Sequence, residues 1–437
     1  MRRSTLALAT AAVAAAALGA AVPPALADGE VFFPALVYRS GAYAPNGVPF
    51  ANGVADYVAL VNERDGGING VRIAFEECET GYATDRGVEC YERLKGQGPT
   101  GAVAFTPLST GITFALTEKA PVDKIPLLTT GYGRSESADG SVFQWNFPLL
   151  GTYWSAADIL IQHANEVSGG LQGKRITLVY HDSPYGKEPI PVLQDHAEKH
   201  GYTFEAIPVT HPGVEQKAVW LQIRRSRPDF VFLWGWGVMN STAIKEAVAV
   251  GYPREQMYGV WWAAAEPDVR PAGADAEGYQ GLALHPTGAD FPVIQAILEH
   301  VYDAGGGAGN RAEVGEVLYN RGVIDAMLRV EAVRTAMGEY GDGPVTGEQV
   351  RWGFENLELT EDRIKELGFE GLITPLKVSC ADHEGARKAR IHQWDGEQWR
   401  FVSDWIEADT AYLRPKMEAA ATAYAREKGI TPADCPA

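Results

Sequence analysis

Cysteine is scarce in this 437-residue chain: there are four, and no two of them form a Cys-x-x-Cys pair. That absence removes the usual zinc spacings, so no metal site is expected. Basic residues are outnumbered, with 38 lysines and arginines against 56 acids and a net charge of −18. An acidic surface of this kind disfavours nucleic acid and anionic lipid as partners and keeps the chain soluble. Beyond residue 27 no apolar run approaches the roughly 20 residues that span a bilayer. Also missing are a Gly-x-Ser-x-Gly elbow and a His-Glu-x-x-His helix, and neither a Gly-x-Gly-x-x-Gly turn nor a P-loop occurs. His181 and Asp182 adjoin, but neighbours along a strand point to opposite faces. Neither catalysis nor a cofactor is therefore expected. Repeats at solenoid periods are absent as well.

What is present begins with an export signal. Arg2 and Arg3 precede an uncharged, alanine-rich stretch over residues 6–22, and Ala25-Leu26-Ala27 is a small-x-small cleavage site. Cleavage after Ala27 sends the mature chain to the periplasm, and loss of the two arginines moves the net charge from −18 to −20. The rival, an uncleaved membrane anchor, is opposed by Pro23-Pro24 and by the site itself. In an oxidising compartment four cysteines suggest two disulfides. Closeness in sequence pairs Cys78 with Cys90 and Cys380 with Cys435, with free thiols as the alternative.

From residue 28 onward strands and helices alternate. Short apolar runs at 35–38, 71–75, 102–105 and 126–129 read as strands, and residues 50–61 show a helical period. The pattern restarts at 152, with strands at 175–180, 202–209 and 230–234 between helical stretches of ten to fifteen residues. Such alternation means right-handed crossovers and parallel sheets, and two runs of it mean two doubly wound α/β lobes. The last third adds helices near 291–302 and 313–337, and a hairpin over 391–402 turning at Asp395-Gly396. It is too small for a third domain and completes the other two.

In open parallel sheets, ligands bind beyond the carboxyl ends of the strands. The loops at those places differ between the lobes. The first lobe offers Ser40-Gly41-Ala42-Tyr43, then Thr106-Pro107-Leu108-Ser109-Thr110, then Thr129-Thr130-Gly131-Tyr132-Gly133. Hydroxyls and glycines suit a polar ligand head, although the same residues also cap helices. The second lobe offers rings: Tyr185 in Tyr185-Gly186-Lys187, Trp234 and Trp236 in Trp234-Gly235-Trp236-Gly237, and Trp261-Trp262, with Glu266 four residues beyond. Indole and phenol groups combine wide apolar faces with one polar tip.

Taken together, these features resemble the leucine/isoleucine/valine-binding proteins, the type I periplasmic solute-binding proteins of ABC importers. The resemblance rests on Ser40-Gly41, Asn62-Glu63 with Gly66-Gly67-Ile68-Asn69-Gly70, Ser109-Thr110, Tyr185-Gly186-Lys187 and Ala276-Glu277-Gly278. It implies two lobes joined by three crossover segments, residues 28–147 with 283–373 and residues 148–282 with 374–410, followed by a tail over 411–437. It implies a monomer that closes on a small molecule and delivers it to a membrane permease. From the resemblance come Ser109, Thr110, Thr130, Gly131, Tyr132, Tyr185 and Trp236 as site residues, and the strand-end loops add Tyr43, Trp234, Trp262 and Glu266. Amino-acid binders of the family place an acid against the ligand ammonium in the loop after Trp261-Trp262. Here a tryptophan falls at that place and Glu266 is displaced. Aromatic or other carboxylates and branched-chain amino acids both remain open, with the former favoured. A sensor that presents its ligand to a membrane receptor, and an exported hydrolase, are the rival functions.

Overall fold

The computed structural model describes residues 29–435, so the export signal expected over residues 1–27 lies outside it. The first lobe starts with Glu30–Val37, a strand in which only the first residue is exposed. Burial on both faces requires an unbroken apolar run, which this segment is. It pairs in parallel with Arg72–Glu79 over its full length. On the other side Phe32 and Ala35 bridge to Ala102 and Thr106, and Phe105 bridges to Leu127. Leu127–Leu128 then pairs with Asn146–Phe147. Residues 102–106 thus hold the expected place but form isolated bridges instead of a full ladder. Pro107, with no N–H, cannot extend them.

Helix Val317–Tyr340 lies against helix Ala44–Arg64 and is buried on nearly every side. That burial takes Arg321, Asp325 and Arg329 into the interior.

The second lobe is built on a single sheet. Arg175–His181 sits between Thr203–Val209 and Phe230–Trp234, and Met257–Gly259 and Gln280–Ala283 extend it, all in parallel. Lys388–Trp394 joins antiparallel to Gln280–Ala283 and folds back onto Trp399–Phe401. The hairpin expected at Asp395-Gly396 is present. Its loop covers residues 395–398 and is longer than a type I′ turn, because Asp395 Oδ1 accepts from the N–H groups of Glu397 and Gln398.

The chain crosses between the lobes three times: after Phe147, after Ala283 and between Lys377 and Lys388. Cys78 is bonded to Cys90 and Cys380 to Cys435, with Cα–Cα separations of 5.8 and 5.5 Å. The stretch expected as a tail forms a helix, Thr410–Lys428, capped by the Asp409 side chain. It touches both lobes. Tyr412 and Lys416 reach Asp195 on the second. Lys428 reaches Glu118 on the first, and Tyr424 stacks on Phe143 there at 4.8 Å.

Candidate ligand cleft

The carboxyl ends of both sheets converge on one cavity. From the first lobe come Tyr38, directly after its strand, Tyr82 in the loop after Arg72–Glu79, and Leu108-Ser109-Thr110 and Tyr132 in the two loops beyond. Tyr153 opens the helix that follows the first crossing. From the second lobe come Tyr185, in the short helix Pro184–Lys187, and Trp236 and Trp262 in loops, each beyond the end of a strand. The space between these atoms is about 260 Å³, of which the centre of a water molecule can reach about 20 Å³. With the walls in place that is room for about one water molecule, so any larger occupant enters as the walls part.

Most polar tips in the wall are already bonded to protein. Tyr38 donates its hydroxyl to the Leu108 carbonyl at 3.1 Å and accepts from Trp236 Nε1 at 3.0 Å. The Leu108 N–H donates to the Tyr132 hydroxyl at 2.7 Å, and Tyr185 donates to the Gly235 carbonyl at 2.9 Å. Trp262 meets Trp236 edge-on with centroids 5.4 Å apart. A polar corner is made by the Ser109 and Thr110 hydroxyls, which accept from the Ile112 and Gly133 N–H groups at 3.4 Å and lie beside the phenols of Tyr82 and Tyr153. Burial pushes the Tyr132, Tyr153 and Tyr185 phenols well above their ordinary value, so they stay neutral. Among the described residues no acid, lysine, arginine or histidine lines the wall.

Five of the anticipated residues take other positions. Tyr43 stands behind Tyr82, with ring centroids 4.4 Å apart, and its hydroxyl meets His181 Nε2 at 2.8 Å. Thr130 turns inward and donates to Asp325 Oδ1 at 2.6 Å. Gly131 contributes its carbonyl, which accepts from both Trp261 Nε1 and Trp262 Nε1 at 2.6 and 2.8 Å. Trp234 is still in the ladder, paired with Tyr180, so its ring sits in the core. Glu266 begins a helical turn and points away from the cavity, accepting from the Val317 N–H at 3.0 Å and the Thr287 hydroxyl at 3.1 Å. Tyr38, Tyr82, Leu108 and Tyr153 were not anticipated. Tyr38 and Tyr82 follow strands of the first lobe, where hydroxyls and glycines had drawn attention away from rings.

Burial, followed by the nearby Glu316 carboxylate, pushes Glu266 up from 4.5 to about 7. The folded state therefore retains a proton that the unfolded chain has lost, and stability falls as pH rises through this window. The effect is on the order of 3 kcal/mol at about 1.4 kcal/mol per pKa unit. Glu266→Gln is expected to gain stability over the wild type at pH 8 but not at pH 5. Urea midpoints at the two pH values check this.

The lobes are joined across the cleft. Besides Trp236 to Tyr38 and Trp261 and Trp262 to Gly131, the Val238 N–H donates to the Ala42 carbonyl at 3.1 Å, and Asn46 donates to Asp268 at 2.9 Å. Two glycines permit this approach. A Cβ on Gly237 would stand 2.6 Å from the Ala42 carbonyl oxygen, and one on Gly131 would stand 2.8 Å from Trp261 Nε1. The arrangement is a shut form.

Behind the walls are two buried charged groups. Asp325 accepts from Thr106 and Thr130 and faces Arg329 Nε at 3.4 Å. Arg321 is stacked 4.6 Å over the Trp262 ring, with Nε on His285 at 3.3 Å. Burial draws Arg321 down to about 9, and burial, then Arg321, draws His285 down to about 3. Among the described residues no three His, Cys, Asp or Glu side chains gather where they could hold a metal ion.

The family described as "Periplasmic binding protein" matches residues 30–398. The chain belongs to this family. Its members are the ligand-binding components of ABC transporters, and this chain is one of the type I group. The crystal structure of a protein from the Pseudomonas fluorescens group, described as an ABC transporter permease, is 44% identical, with a TM-score of 0.86. The match covers 93% of this chain and 100% of that one. A branched-chain amino acid ABC transporter protein from Thermus thermophilus with bound valine is 19% identical, with a TM-score of 0.74 over 87% of this chain and 97% of that one. A solute-binding protein from R. palustris in complex with benzoate is 17% identical, with a TM-score of 0.65 over 88% and 99%. The last two share the fold alone. No curated protein matches the chain. Among the described residues no helix is long and apolar enough to cross a membrane.

Proposed function

We propose that this binding protein takes up a compact aromatic or otherwise apolar molecule with a single polar head, a carboxylate in the first instance, and delivers it in the periplasm to the permease of an ABC importer. The observation that carries this reading is the absence of any ionised side chain from the cavity wall. An amino acid would bring an ammonium with no acid to meet it, at a cost of several kcal/mol. Glu266, which could have served, is engaged elsewhere. A single polar head has the Ser109-Thr110 corner. The rings supply apolar faces for the remainder. One structural relative is described with valine and another with benzoate, so the fold does not choose between the classes.

The test is a thermal-shift panel of benzoate, short aliphatic acids, small amides, urea, valine and leucine. A ligand at 100 times its Kd stabilises the native state by about 2.7 kcal/mol. Shifts with benzoate or the aliphatic acids, and none with valine or leucine, are expected. The opposite pattern, or a flat panel, would overturn the proposed chemistry.

A further inference from the structure

Every residue lining the cavity is buried except one. Tyr82 alone is only half-buried, while its hydroxyl is enclosed beside Ser109. The residue therefore reaches from the cavity to the outside. It is wedged among Tyr38 at 5.1 Å and Tyr43 at 4.4 Å from its own lobe, and His181 at 6.2 Å from the other. The backbone beneath it is unusual. Tyr82 has φ of +65°, next to Gly81 at +57°, and a bulky aromatic in the left-handed region is an outlier that its surroundings must enforce.

The loop that carries it is short and anchored. Thr80 bonds to the Val37 carbonyl through both its N–H and its hydroxyl, and its own hydroxyl accepts from the Tyr82 N–H. A helix begins at Thr84, and the Cys78–Cys90 disulfide ties the strand before the loop to that helix. The flanks are thus immobilised, which leaves the Gly81–Tyr82 dihedrals as the adjustable part. Returning Tyr82 to an ordinary φ would relieve the strain and swing the ring out of its wedge.

We propose that Tyr82 is the gate of the cavity, a strained aromatic on a disulfide-braced loop that sets how fast the ligand exchanges and how large a ligand is retained. This rests on the cavity being the ligand site. It does not rest on which molecule binds.

Tyr82→Gly removes the ring and places at this position the residue that favours a left-handed backbone. A purely structural ring would lower the apo melting temperature when removed. A gate predicts an apo melting temperature that is unchanged or raised, benzoate dissociation at least tenfold faster by stopped flow, and near wild-type exchange in Tyr82→Phe. The ligand-independent arm uses acrylamide, a small neutral quencher, and follows Trp236 by subtracting the signal of the matching Trp236→Phe protein. Quenching should rise in Tyr82→Gly. Increased quenching with no benzoate binding by either protein supports the gate and counts against the carboxylate reading alone. Unchanged quenching, or a lower melting temperature with unaltered dissociation, overturns the gate whatever the ligand proves to be.

Discussion

Trp236→Ala is expected to raise the Kd for the ligand about 100-fold while leaving the melting temperature of the ligand-free protein nearly unchanged. The indole forms the second lobe's main wall and its only direct hydrogen bond to Tyr38. Truncation removes the face against the ligand, the edge contact with Trp262 and that bond at once. Buried aromatic anchors of this kind contribute about 2–4 kcal/mol at an interface. The bond to Tyr38 joins the two lobes and not the core of either, so little folding stability is expected to depend on it. Trp234, two residues earlier, should behave in the opposite way. It is fully buried in the core, and Trp234→Ala should cost about 3–5 kcal/mol of stability with the binding chemistry retained. Calorimetric titration beside thermal melts separates the two. If Trp236→Ala lowered the melting temperature as far as Trp234→Ala and left affinity intact, the cavity would not be the site.

Asp325→Ala is expected to be the most damaging single change to the first lobe, costing about 3–5 kcal/mol. Asp325 is fully buried, and its two oxygens accept from Thr106 and Thr130 at 3.0 and 2.6 Å. Removing it leaves Arg329 as an uncompensated charge in the core and releases both loops that carry the polar corner and Tyr132. Affinity should therefore fall together with the urea midpoint, although Asp325 does not line the cavity. The double change Asp325→Leu with Arg329→Met should recover much of the stability, because replacing a whole buried pair is far less costly than breaking it. It should not recover the affinity, since the loops remain untethered. Full recovery of both properties would mean that the loops do not depend on Asp325.

The two-lobed architecture was legible because alternation of apolar runs with helical periods is written along the chain. The cleft was legible to the extent that it follows from strand ends, which is why Ser109, Thr110, Tyr132, Tyr185, Trp236 and Trp262 meet at one wall. Thr130 and Glu266 occupy equally plausible places in sequence but turn away. Their partners, Asp325 and Val317, lie far along the chain in helix Val317–Tyr340, and no local pattern announces that contact. Trp234 ends its strand where the sequence places that end, but its ring is buried in the core and does not line the cavity, a choice of face that the position alone does not reveal. Tyr82 was obscured for a different reason. Its loop contains neither a glycine-rich turn nor a cluster of rings, and only the left-handed backbone seen in three dimensions marks it.

The helix Thr410–Lys428 has a mechanical consequence. It lies beside the 378–387 crossing, where Arg414 donates to the Ala381 carbonyl, and the second disulfide secures its far end to Cys380. Its second half packs on Val142 and Phe143 of the first lobe, while its first half is seated on the second, where Tyr412 meets His196 at 4.8 Å and the Asp409 N–H donates to Asp158 at 2.7 Å. Gripped at one end by each lobe beside a crossing, the helix should act as the fulcrum of the motion. Displacement then grows with distance from it, and the rim farthest from this lever gains the widest aperture for a given rotation.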